Sequence, residues 1–132
     1  MRGPRPWRIA AVAWTTVVIV FGVLPTHDAV HAVAAGHDAS LTSAAHFTEY
    51  AVLAFIAAVA IRGWPLPWRA LLWAGVYAIG LGALIEVVQV PLPYRDGQLS
   101  DVVVNAAGAA LGLVLVSLCG RLLERRPRAR RG

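Results

Sequence analysis

Residues 70–90 read ALLWAGVYAIGLGALIEVVQV, with Glu86 as the single charge in the run. An α-helix rising 1.5 Å per residue needs about 20 apolar residues to cross a bilayer. Pro91 and Pro93 follow directly, and proline cannot continue a helix, so the stretch is expected to span a membrane and stop there. Three further apolar runs lie on either side of it. One covers about 44–61 and ends before Arg62-Gly63-Trp64-Pro65; another covers about 102–119 and runs into Arg121. The earliest covers about 8–24 and is stopped by Pro25. None alternates apolar and polar residues as a membrane β-strand must. The pattern predicts an all-α integral membrane bundle of four transmembrane helices.

Composition agrees. The chain has 132 residues, 58% hydrophobic and 14% charged, with a mean hydropathy of +0.64. A soluble domain carries about 45–50% apolar and about 25% charged residues. A disordered chain and a typical soluble enzyme domain are both excluded. At this length one unit is expected, residues 1–120 as a membrane domain, with 121–132 as an unstructured basic tail. The lone Cys119 excludes an internal disulfide and any cysteine-based metal framework.

The arginines orient the bundle. There are twelve Lys+Arg, all arginine, against seven acids, for a net charge of +5. Arg2, Arg5 and Arg8 precede the first span, and Arg62 and Arg69 separate the second from the third. Arg121, Arg125, Arg126, Arg128, Arg130 and Arg131 follow the fourth, so four crossings put all of these on one side and only Arg95 on the other. The positive-inside rule makes the arginine side, and both termini, cytoplasmic. Trp7, Trp64 and Trp68 stand where interfacial anchors belong. A basic run beside a span meets anionic lipid, so membrane lipids and not nucleic acid are the expected partners.

The N-terminal region admits a second reading. Arg2–Arg8, an apolar stretch and Ala32-Val33-Ala34 also fit a signal peptide with its cleavage site. The apolar run exceeds the usual 7–15 residues, which favours a retained span. Either way the other three spans are unchanged.

Polar side chains are expensive in lipid, so those inside spans carry the information. The second span holds His46, Glu49 and Tyr50, the third Glu86 and Gln89, and the fourth Asp101 and Asn105, followed by Gly108 and Gly112. Spacings of three and four put each set on one helix face. Glu49, Glu86 and Asn105 are each expected roughly 6–8 Å inside the outer end of their helix. The four-span topology therefore predicts a shared polar layer just beneath the extracytoplasmic surface, with Tyr50 at its edge. Glu49, Glu86, Asp96 and Asp101 outnumber the one nearby cation, Arg95. The balance must come from a proton, from His46 or from a cationic ligand. Arg95 is expected to fold over the bundle mouth and pair with Glu86 or Asp101, with Gln89 and Asn105 serving the remaining carboxylate lone pairs. The same residues can also serve purely to bond three helices together. Gly108 and Gly112 form a small-residue face for helix packing inside the bundle.

No metal site is expected. His46, Glu49, Glu86 and Asp101 lack zincin spacing, and His27, His31, His37, Asp28 and Asp38 read as a solvated outer loop. No nucleophile elbow, phosphate loop or dinucleotide fingerprint is present, so neither a cofactor nor a catalytic residue is assigned.

The series His46-Phe47-x2-Tyr50-x2-Leu53, Glu86-x2-Gln89 and Arg95-x5-Asp101-x3-Asn105-x2-Gly108-x3-Gly112 resembles the VanZ-like family over about residues 43–112. The first span fits that family's N-terminal helix. Where the family often has a lysine three positions before the histidine, this chain has Ser43, so that lysine's role is not carried over. The resemblance implies a multi-pass protein of the bacterial plasma membrane. Its name-giving member is tied to low-level resistance to the lipoglycopeptide teicoplanin, and the family has no established enzymatic activity. Two functions follow as expectations. One is a cell-envelope protein that binds a lipid-borne or amphiphilic ligand at the outer leaflet, such as a lipoglycopeptide or a lipid-linked cell-wall precursor, and contributes to glycopeptide tolerance. The alternative is a membrane-embedded enzyme using acid–base residues on a lipid-linked head group.

Overall fold

The computed structural model describes residues 4–24, 39–92 and 99–125. Among these residues there are four helices and no strand: α1 (Arg5–Val23), α2 (Ala39–Arg62), α3 (Trp68–Gln89) and α4 (Leu99–Arg125). Each is long and apolar enough to cross a membrane. The bundle of four helices expected from the apolar runs is present.

The ends differ from the sequence reading in instructive ways. α1 starts at Arg5 behind an N-cap of Pro4, with proline in its first turn, because a fixed φ and a missing N–H suit the beginning of a helix. α2 begins at Ala39, ahead of the apolar run, because polar residues continue a helix once it leaves the hydrocarbon. α4 runs through Arg121 to Arg125, so the first residues of the basic tail are helical and not unstructured. Leucine and arginine are good helix formers, and a long arginine stem can lie along the helix while its head reaches water. Gly63, at φ 69°, ends α2, and its N–H donates to the Val59 carbonyl at 2.7 Å. That left-handed conformation is one only glycine adopts without strain.

α2 is the axis of the bundle. It packs most extensively on α4, and also on α3 and α1, while α1 touches mainly α2 and α3. The core is built largely from small side chains: Ala54, Ala57, Ala58, Ala60, Ala70, Ala74, Ala78 and Ala109 are all buried. Lipid tails are as apolar as leucine, so membrane helices associate through close packing, which small residues permit. The α2–α4 seam shows this most directly. A Cβ on Gly108 would collide with the Phe47 carbonyl, and one on Gly112 with the Ala51 carbonyl. Gly120 is likewise covered by the Trp64 ring.

These contacts define two ends. Arg8 Nε donates to the Ala60 carbonyl at 3.2 Å, and Trp64 lies on Gly120, so the start of α1 and the ends of α2 and α4 meet. Arg5, Arg8, Arg62, Arg69 and Arg121 belong to this end, with the Arg69 guanidinium 5.6 Å from the centre of the Trp68 ring. Trp7 packs inward, its ring 6.4 Å from that of Phe55. At the opposite end Gly22 meets Ile85 and Gln89, and α2 and α4 begin.

Candidate ligand-binding site

Among the described residues the buried polar or charged side chains are Glu86, Gln89 and Asn105, exposed by 7%, 3% and 2%. All belong to the end away from the arginines. Their helices are apolar nearly all round, so each polar group is held in place by its neighbours and not by amphipathic sorting.

The floor of the site is Tyr50 of α2, Gly82 of α3 and Asn105 of α4. A Cβ on Gly82 would lie 3.0 Å from Tyr50 Cε1 and 3.3 Å from Asn105 Nδ2. The missing side chain is what allows the tyrosine ring and the amide to share this level. Tyr50 is 2% exposed and packs within the apolar core. One helical turn farther out on each helix, four residues along, come His46, Glu86 and Asp101. His46, Glu49 and Asp101 are half-buried. Glu49 and Glu86 both lie within electrostatic reach of the Tyr50 hydroxyl. Neither glutamate is without a partner, nor is His46.

One expected hydrogen bond is replaced by another arrangement. Gln89 does not serve a carboxylate: its Nε2 donates to the Gly22 carbonyl at 2.6 Å and fastens α3 to α1. Asn105 Oδ1, an acceptor that no carboxylate could use, is buried with no hydrogen-bond partner. An acceptor buried without a hydrogen bond generally costs about 1–3 kcal/mol, so a donor placed at Asn105 Oδ1 would be favoured. The common depth also has a different origin from the one inferred from helix ends. Glu86 is about 5 Å from the end of α3, whereas Asn105 is about 9 Å from the start of α4. The lateral contacts of Tyr50, Gly82 and Asn105 align the layer instead.

Trp14 belongs to this neighbourhood without having been singled out, and Gly82 joins it through packing. Trp14 Nε1 donates to the Glu49 carbonyl at 3.0 Å, setting α1 against α2 one residue from Tyr50. Its signal was a tryptophan deep inside a span, away from either interface. Gly82 precedes Glu86 by four residues, which places it one turn beneath the carboxylate. Arg95 and Asp96 lie outside the described residues, as do His27, Asp28, His31, His37 and Asp38. Among the described residues no three His, Cys, Asp or Glu side chains gather closely enough to hold a metal ion.

The layer thus brings together carboxylates, an imidazole and an amide carbonyl without a hydrogen-bond partner, on helices that are otherwise apolar. Chemically it is rich in acceptors, and it suits a ligand group carrying N–H or O–H donors. No curated protein and no solved structure gives a significant match to the chain. A family model described as VanZ/LLP1 matches residues 7–120, from the first turn of α1 into the last turns of α4. With the match taking in the seam glycines and every residue of the polar layer, this multi-pass membrane protein belongs to the VanZ/LLP1 family.

Proposed function

We propose that this chain acts in the bacterial plasma membrane, where it binds a lipid-borne or amphiphilic ligand at the outer leaflet and thereby contributes to tolerance of glycopeptides and lipoglycopeptides such as teicoplanin. One observation carries the reading: the buried Glu86, Gln89 and Asn105 all belong to the end of the bundle remote from the arginines. With arginines inside, that end faces outward and its polar floor lies at the depth where head groups meet acyl chains. A ligand with a polar head and a hydrophobic tail meets both environments at once. Burial of its tail in lipid contributes about 0.8 kcal/mol per CH₂, which a water-soluble ligand would not gain.

The test compares susceptibility to a lipoglycopeptide and to its unacylated counterpart. Strains would carry wild type, Glu86→Gln, Arg95→Ala or Asn105→Leu at matched membrane abundance. Protection is expected to favour the acylated drug and to fall in all three variants. Equal protection against both drugs removes tail recognition, and full protection by the variants reduces the polar layer to scaffold. Lipid and cell-wall precursor profiles from the same strains address catalysis, since a mass-shifted product would assign the layer to acid–base chemistry.

A further inference from the structure

The arginine end carries a feature of its own. A groove of about 470 Å³ opens between α1, α2 and α3, within the roughly 300–1,000 Å³ range of ligand pockets. Arg8, Val12 and Thr15 of α1 line it with Ala57 and Ala60 of α2 and Tyr77 of α3. It exists because α2 presents alanines where larger side chains would fill the space. Its walls are almost wholly apolar, and polar groups stand only at its two ends. At the inner end Thr15 Oγ1 and the Tyr77 hydroxyl share a hydrogen bond of 2.6 Å, so each already has a partner there. At the mouth Arg8 is held by the donation of its Nε to the Ala60 carbonyl. That bond fixes the plane of the guanidinium and leaves its two terminal nitrogens as a fork. From Arg8 to Thr15 the groove runs about 10 Å along the membrane-spanning part of α1.

A cationic fork at the membrane surface above an apolar slot has the two-part chemistry of a phospholipid. Arg5 and Arg62 are exposed at the same end and add positive potential around the mouth. We propose that this groove is a binding site for one anionic phospholipid of the arginine-side leaflet, with an acyl chain along Val12, Ala57 and Ala60 and its phosphate on Arg8. The site lies at the opposite end from the polar layer and does not depend on what that layer binds.

The experiment is native mass spectrometry of the full chain, purified in detergent and titrated with phosphatidylglycerol or phosphatidylcholine of the same acyl composition. Wild type is expected to retain one phosphatidylglycerol about tenfold more tightly than phosphatidylcholine, the scale of a charge-assisted contact. Arg8→Gln removes that preference. Val12→Trp, at a position 69% exposed on the groove, blocks the slot and loses both lipids. Thr16→Trp, on the same wall, replaces it if the first variant fails to fold. Arg69→Gln, outside the groove, retains lipid as wild type does. Equal retention of the two lipids overturns the proposal, as does an equal loss in Arg8→Gln and Arg69→Gln, which would mean a diffuse basic belt. A dimer mass that either tryptophan variant abolishes would assign the groove to a second copy of the chain and overturn it too.

Discussion

Gln89, the last residue of α3, donates its side-chain amide to the carbonyl oxygen of Gly22 near the end of α1, across 2.6 Å. Gly22 is also where Ile85 fits, since a Cβ there would come within 2.9 Å of Ile85 Cγ2. Arg8 on the Ala60 carbonyl makes the corresponding connection at the other end of α1. These polar pins hold a helix that buries only Val18 and Gly22.

Removing the first pin should therefore loosen α1. Gln89→Leu is expected to lower unfolding free energy by about 1 kcal/mol, since hydrogen bonds between membrane helices average about 0.6 and reach about 1.7 kcal/mol. Denaturation by sodium dodecyl sulfate in mixed micelles measures it. Unchanged stability would mean that Gly22 finds another donor.

The seam of α2 and α4 tolerates no added carbon. Gly108→Ala and Gly112→Ala drive a methyl into the Phe47 and Ala51 carbonyls, and backbone cannot swing aside as a side chain can. Each is expected to cost about 1–3 kcal/mol or more and to reduce the folded yield. Gly80→Ala meets open space and serves as the control, with stability equal to or above wild type because helical glycine is entropically costly. Similar losses at all three positions would refute the seam.

Asn105 offers a separation of stability from function. Leucine has nearly the same shape and no orphaned acceptor, so Asn105→Leu should fold at least as stably as wild type. If the amide serves a ligand, the same variant loses its protective effect. A stability loss of 2 kcal/mol or so would instead show that the amide is structural.

Thr15 and Tyr77 form a pair suited to a double-mutant cycle. Thr15→Val, Tyr77→Phe and their combination should give a coupling of about 0.6 kcal/mol, the typical value for such bonds in a membrane. Additive effects would show that lipid-exposed hydroxyls find equivalent partners elsewhere.

Orientation can be read with fusions. A cytoplasm-active reporter should work at both the N- and C-terminus, and a periplasm-active one at neither, as the arginine distribution requires. A C-terminal reporter active outside would invert the bundle, and with it the leaflet assigned to the polar layer.

Much of this architecture follows from the chain alone, because a bilayer is an unforgiving solvent. Backbone groups in hydrocarbon must be satisfied within the segment, so an apolar run of sufficient length, such as 70–90, can only be a helix. Prolines and arginines then mark the ends and the side, and the scarcity of polar residues makes Glu86, Gln89 and Asn105 conspicuous. How those residues meet was not legible. A helix apolar on every face carries no periodic signal of its rotation, so nothing in the spacing told Gln89 to turn toward Gly22 and away from the carboxylates. The burial of the Tyr50 ring depends on the absent side chain of Gly82, one helix away. The groove beside Arg8 depends on alanines of α2 lying opposite α1 and α3. Length and polarity act along the chain and are set by the solvent. Rotation, depth and cavities arise only when helices pack laterally, through contacts between residues far apart in sequence.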